Sequence, residues 1–214
     1  MDCCSGNSAC GEFFGERTAR RSIRRYRKKG LDADARAMVE WASEGGLEGA
    51  SVLEVGGGIG AVGVSLVERG AARAVNLEVV PGWESTAREL TAEAGLTGRA
   101  EFRLGDLLEN PGAAEPADVV ALQRVVCCNP EGVRLAGLAA ARARRVLVLS
   151  YPRDAVWTRW GVRAANLVER LRRQSFRAFV HPPDAILAAA RAEGLVLAHR
   201  DRGAVWEVAA LRRA

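Results

Sequence analysis

The sequence lacks any apolar run of the roughly 18 residues that a bilayer-spanning helix needs, because Arg or Glu interrupts each apolar stretch first. Between Met1 and Arg27 it also lacks an apolar segment, so no secretory leader is expected and a cytoplasmic location is. Histidine is scarce, with only His181 and His199 in 214 residues. No Cys-x-x-Cys spacing occurs, which removes the usual zinc pattern, and no metal is expected. The five cysteines fall at 3, 4, 10, 127 and 128. An odd number with two vicinal pairs makes a poor disulfide framework, and a chain of this size does not need one, so reduced thiols are expected.

What is present is the mix of an ordinary globular protein, 49% hydrophobic and 27% charged, long enough for one α/β domain and short for two. The formal charge of +5 is unevenly placed. Residues 1–29 hold eight basic side chains, from Arg17 to Lys29, against Asp2, Glu12 and Glu16, and the remainder is neutral. A single basic segment is weaker evidence for nucleic-acid binding than a uniformly basic surface, so a nucleic-acid partner is not expected.

Hydrophobic periodicity alternates between strand and helix, which predicts a mostly parallel sheet with crossover helices. A helix over 16–29 carries Ala19, Ile23 and Tyr26 on one face and ends at Gly30, and a second, capped by Asp32 or Asp34, stops at Gly45-Gly46. Strands are expected at 51–55, 74–78, 100–104, 118–122, 146–150, 196–199 and 205–211, and further helices after Gly60, at 83–94, 131–143, 155–174 and 184–191. The turn Asp201-Arg202-Gly203 can join only antiparallel neighbours, so one terminal strand must run against the rest. The expected organisation is one domain over 1–214: a tail and cap helices at 1–46, then a Rossmann-like core at 47–214 with 152–182 inserted as a lid.

A glycine turn follows the first strand. Glycines at 56, 58 and 60 allow a sharp turn and let a ligand approach the main chain, while the next helix presents free N–H groups. The spacing is G-x-G-x-G preceded by Glu54; position 61 is Ala61, so the dinucleotide fingerprint is half matched. Glu78 ends the second strand, where a carboxylate can accept ribose hydroxyls, and Gly105-Asp106 follows the third, where one can reach an adenine amino group. For each acid taken alone, a solvated loop charge is the simpler explanation.

Together, the run from Val52 through Gly60, Glu78 and Asp106 resemble the motif set of the class I S-adenosylmethionine-dependent methyltransferases over residues 50–150. The resemblance implies S-adenosylmethionine as cofactor and a seven-stranded sheet whose last strand is antiparallel. It implies that Glu54 lies near the methionine part, Glu78 with Val79 at the ribose, and Asp106 with Leu107 near the adenine. Gly56, Gly57, Gly58 and Gly60 would form the turn beneath the cofactor, and Gln123, ending the fourth strand, would face the methyl group and the substrate. Arg25-Tyr26-Arg27, Gly30-Leu31-Asp32, Leu149-Ser150-Tyr151-Pro152 and Phe179-Val180-His181-Pro182-Pro183 resemble the magnesium-protoporphyrin O-methyltransferase branch and its small bacterial relatives. The segment Arg124–Cys128 is similar to that of a group of bacterial methyltransferase-domain proteins. The chain departs from the porphyrin branch at Cys128, where that branch has histidine, so porphyrin is not implied as substrate.

The remaining chemistry-bearing residues allow two readings each. Tyr26 is either a lid over the cofactor or a packing aromatic. His181, beside the expected mouth of the site, is the one candidate general base, although methyl transfer from a sulfonium needs positioning more than proton removal. Cys127 and Cys128 are small hydrophobes or, with Cys3 and Cys4, a thiolate cluster for a soft metal or metalloid. The helix near 155–177 interleaves Trp157, Trp160, Leu167 and Leu171 with arginines, and either roofs the pocket or lies on an anionic membrane or a partner chain. The favoured expectation is methylation of a small-molecule acceptor at oxygen, without membrane insertion and with the oligomeric state open. The alternatives are thiol or metalloid methylation at the cysteines, and an RNA-binding modifier using the basic helix. Against the latter, the chain reads Gln123-Arg124-Val125-Val126 where an Asp/Asn-Pro-Pro-aromatic motif would stand.

Overall fold

The computed structural model describes residues 13–214. Its elements alternate as the periodicity requires: α1 (Glu16–Lys29), α2 (Ala33–Ser43), β1 (Ser51–Val55), α3 (Ala61–Glu68), β2 (Arg73–Glu78), α4 (Glu84–Glu93), β3 (Ala100–Leu104), β4 (Ala117–Gln123), α5 (Gly132–Arg142), β5 (Ala143–Pro152), α6 (Val156–Leu171), α7 (Pro183–Ala192), β6 (Leu195–Arg202) and β7 (Trp206–Arg213). The seven strands form one sheet in the order β3-β2-β1-β4-β5-β7-β6. β7 pairs antiparallel with both β5 and β6, and the other six strands run parallel. The order reverses between β1 and β4, and at such a switch point a crevice opens outside the carboxyl ends of the strands.

Two apolar layers sandwich the sheet, and strand alternation decides which residue joins which. Val52, Val119, Ala121, Val146 and Val148 face Ala19, Ile23, Met38, Val39, Val62 and Leu66 of α1, α2 and α3. Leu53, Val55, Val120, Leu122, Leu147 and Leu149 face Leu135, Ala136, Ile186 and Leu187 of α5 and α7. Burial on both faces explains why the central strands read as nearly continuous apolar runs.

Three local expectations are adjusted. Trp83 lies in a short 3-10 turn over Pro81–Trp83 rather than inside α4, because Pro81 fixes its own φ and supplies no N–H. The hairpin tip falls at 203–205, since β6 stays paired through Arg202. Asp32 does precede α2 but makes no capping hydrogen bond, and Asp34 is buried instead. Both carboxylates are claimed by arginines. Arg25 donates to Asp32 through both terminal guanidinium nitrogens. Arg124 donates to Asp34 at 2.6 and 2.9 Å and lies 3.1 Å from Asp32.

Arg124 thereby fastens the corner between α1 and α2 to the carboxyl end of β4. It does so from the left-handed region, φ 55°, with its own N–H donating to the Ser150 carbonyl and hydroxyl and its guanidinium over the Trp206 ring at 4.6 Å. The Ser150 hydroxyl also donates to Asp34 at 3.1 Å. Removing one partner of a buried, hydrogen-bonded charge pair leaves the other uncompensated. Asp34→Ala is therefore expected to lower unfolding free energy by about 2–3 kcal/mol, with partial recovery in Asp34→Asn, measured by urea denaturation. A change within about 0.5 kcal/mol, the usual surface effect, would show that the corner is held by packing alone.

Candidate functional site

The switch-point crevice is a cavity of about 360 Å³, mostly apolar, floored by the glycine turn and covered by α1. The turn is possible because the residues after β1 can adopt a left-handed backbone: Gly56 and Gly58 have φ of 63° and 58°. Sterics tighten the requirement at Gly56, where a Cβ would lie 2.3 Å from the Val125 side chain. Side chains of β1 and β2 hold the turn from behind. Asn76 accepts from the Gly57 N–H at 3.2 Å and donates to the Gly58 carbonyl at 2.9 Å. Glu78 accepts from Gly58 N–H at 2.9 Å with one oxygen, and from Val79 and Val80 with the other.

Gly56, Gly57, Gly58, Glu78, Val79, Asp106, Leu107, Gln123 and Tyr26 all line the cavity. Two residues of the expected cofactor set do not. Glu54 shares the face of Val52, away from the cavity, and is fully buried behind the turn, where Oε2 accepts from Gly63 N–H at 2.7 Å. Expected near the methionine part of a cofactor, it stands behind the turn and not in the lining: alternation along β1 turns it the other way, and it holds the amino end of α3. Gly60 caps α3 with φ 75° and is likewise absent from the lining.

His181 does not reach the cavity either, and its Nε2 lies 2.9 Å from the Asn129 carbonyl. Tyr26 packs on the α1 core and also lines the cavity. Cys128 lines the cavity while Cys127 is buried, and both thiols point at the Arg124 carbonyl, at 3.4 and 3.3 Å. The Cys128 contact, followed by other hydrogen bonds and the Arg124 charge, outweighs burial and lowers the Cys127 pKa. Cys3 and Cys4 lie outside the described residues, and among those described no group of three or more His, Cys, Asp or Glu could hold a metal ion. Residues 152–182, expected as a lid, contribute no lining residue. The cover comes from Phe14, Thr18, Ser22 and Arg25 on and just before α1. Periodicity marks the buried side of α1 but not what its other positions face, and for Arg124 and Trp83, which also line the cavity, no pattern in the sequence announces a site.

Burial sets the electrostatics. Desolvation raises the Glu54 pKa to about 7 despite N–H groups from Gly63 and Val62, and Oε1 has no hydrogen-bond partner among the described residues. Glu78 is raised for the same first reason, with the N–H groups of Val80, Gly58 and Val79 opposing.

No family model and no curated protein sequence matches this chain. Its fold is that of the S-adenosylmethionine-dependent methyltransferases. Magnesium protoporphyrin IX methyltransferase from Synechocystis PCC 6803, solved with SAH bound, superposes with TM-score 0.74 over 95% of this chain and 98% of its own, at 18% identity. An O-methyltransferase family protein from Burkholderia thailandensis gives 0.64 over 84% of this chain and 56% of its own, at 21% identity. An O-methyltransferase family 2 protein from Planctomyces limnophilus, in complex with apigenin, gives 0.60 over 87% and 63%, at 16%.

The buried Glu54 makes a pH prediction. Its folded pKa is raised, so protonation contributes stability that is fully present below the unfolded value of 4.5 and lost as pH rises through about 7. Glu54→Gln mimics the protonated form. Relative to wild type it should gain on the order of 3 kcal/mol in unfolding free energy between pH 4.5 and pH 8, read by denaturant titration at each pH. A pH-independent difference would mean that Glu54 is neutral throughout or solvated.

Proposed function

We propose that this chain is an enzyme that binds S-adenosylmethionine in the switch-point cavity and transfers its methyl group to oxygen of a small-molecule acceptor in the cytoplasm. One observation carries the reading: an open glycine main chain, the Glu78 carboxylate and Asp106 line one cavity at the carboxyl ends of β1, β2 and β3. The fit is steric as well as polar. A Cβ on Gly58 would press against the Trp83 ring at 3.1 Å, so the turn is kept bare where both line the cavity.

Glu78 would hold the ribose hydroxyls, with Val79 beside it. Its oxygens already accept three main-chain N–H groups, which fixes the carboxylate before a ligand arrives. Asp106, whose Oδ1 accepts from Leu108 N–H at 2.7 Å, would meet the adenine amino group, next to Leu107. Gln123 would orient the acceptor, and Tyr26 with the rest of α1 would exclude water. When bound, S-adenosylmethionine supplies an electrophilic methyl group on a sulfonium. The protein's part is to hold the acceptor oxygen in line with it, and positioning of this kind is worth a large share of a barrier. No base is assigned, since His181 is turned to Asn129.

Oxygen as acceptor atom and a small molecule as acceptor draw support from the neighbours that are O-methyltransferase family proteins, one of them holding apigenin. The basic run of α1 is partly spent within the protein: Arg25 pairs with Asp32, and Arg27 with Glu89 and Glu93. That leaves less charge for RNA phosphates than the sequence offers.

S-adenosylhomocysteine at a hundredfold excess over its Kd should stabilise the protein by about 2.7 kcal/mol, hence raise Tm by about 5–10 °C, in a thermal melt where NAD has no effect. Stabilisation by NAD alone would refute the cofactor assignment. Glu78→Ala should weaken S-adenosylmethionine binding by about 1.5–3 kcal/mol in calorimetry, and an unchanged Kd would remove Glu78 from the ligand.

A further inference from the structure

α6 is built inside out. Its side toward the protein carries Thr158, which is 6% exposed, together with Val162, Asn166 and Glu169. Its outer side carries Val156, Trp160, Leu167 and Leu171 on one helical stripe, widened by Trp157, Ala164 and Val168. These large apolar residues are 43–76% exposed, and they are six of the ten exposed large hydrophobics among the described residues. A seventh, Val205, is at the β6–β7 hairpin tip, to which the start of α6 is fastened. Arg153 N–H donates to the Val205 carbonyl at 2.8 Å, and the Trp157 indole donates to the Ala204 carbonyl at 2.9 Å. Concentration of this kind, unlike scattered exposed residues, marks an interaction surface.

The charge around the stripe is mostly basic, although Asp201 is also exposed on the hairpin. Arg159, Arg163 and Arg170 run along one flank, Arg172 and Arg173 follow the helix, and Arg202 stands on the hairpin. Arg163 and Arg153 lie over the rings of Trp160 and Trp157, at 5.5 and 5.4 Å. From Arg153 to Arg173 there are six arginines and two acids, a net charge of +4. Of those acids, Asp154 is bonded to Arg159 and Glu169 is turned inward and paired with Arg172. A second copy of the same helix would bring arginines without exposed carboxylates on α6 to answer them. The surface that complements both features is apolar, extended and anionic.

We propose that α6 and the β6–β7 tip dock this protein onto an anionic lipid bilayer, with the Trp/Leu/Val stripe in the headgroup–acyl boundary and the arginines on lipid phosphates. No helix among the described residues is long and apolar enough to cross a membrane, so the contact lies in the interface plane. β5 ends and β6 turns at the same edge of the sheet as the carboxyl ends of β1 and β4, where the cavity lies. Docking therefore sets that edge against the membrane.

The test is flotation of the full chain with vesicles of phosphatidylcholine alone and of phosphatidylcholine with phosphatidylglycerol. Binding should require phosphatidylglycerol and fall as salt shortens the screening length. Arg163→Gln should weaken it about fivefold, the effect of one basic side chain near such a surface. Trp160→Ser should weaken it further, while Leu104→Ser, an exposed apolar residue on the opposite edge strand β3, should not. Circular dichroism checks folding, and Leu167→Ser repeats the reading should Trp160→Ser misfold. Equal binding to neutral vesicles, or indifference to Trp160→Ser and Arg163→Gln, overturns the proposal. So does a dimer in sedimentation that Trp160→Ser dissolves without any vesicle binding, which would assign the stripe to a second copy.

Discussion

The main chain between β1 and α3 belongs to neither strand nor helix, and its polar groups need partners from elsewhere. Asn76 and Glu78, two residues apart on β2, provide them for Gly57 and Gly58, and Glu54 provides one from beneath for Gly63 in the first turn of α3. Because alternate residues of a strand share a face, one strand presents both side chains to one turn. The two strands must be adjacent and parallel for their carboxyl ends to meet there, as they are. The shape of the cavity floor therefore follows from a few side-chain-to-backbone hydrogen bonds made in low dielectric.

The cover depends on a second, separate fastening. α1 belongs to the N-terminal region, and its placement over the cavity rests on the corner that Arg124 grips through Asp32 and Asp34. Arg124 also lines the cavity, so a single left-handed residue at the end of β4 links cover, floor and sheet. Arg27, bonded to Glu89 and Glu93, ties the far end of α1 to α4. A cover that excluded water from the glycine turn would strengthen every polar interaction made inside.

The strands, the switch point and the antiparallel β7 were legible because period-two apolar runs and a short hairpin leave few topologies open. That Gly56, Gly58, Glu78, Asp106 and Gln123 would lie together was legible because each sits at or just past a strand end on one edge of the sheet. That Glu54 stands behind the turn was not legible, since a motif fixes position along a strand but not which face turns to the cavity. For a related reason the lid was expected from 152–182, with Tyr26 of α1 open to two readings: both helices are amphipathic, and sequence does not say what a face meets. The grip of Arg124 on the α1–α2 corner was not legible because its partners are 90 and 92 residues away in sequence.

The central claim is that the glycine turn, β2 end and β3 end form one cofactor site. Mapping backbone amide chemical shifts by NMR during titration with S-adenosylhomocysteine tests it directly. The account predicts the largest changes at Gly56, Gly57, Gly58, Val79 and Leu107, smaller ones along α1, and none on α6. Saturable shifts confined to other surfaces, or none at millimolar ligand, would contradict it.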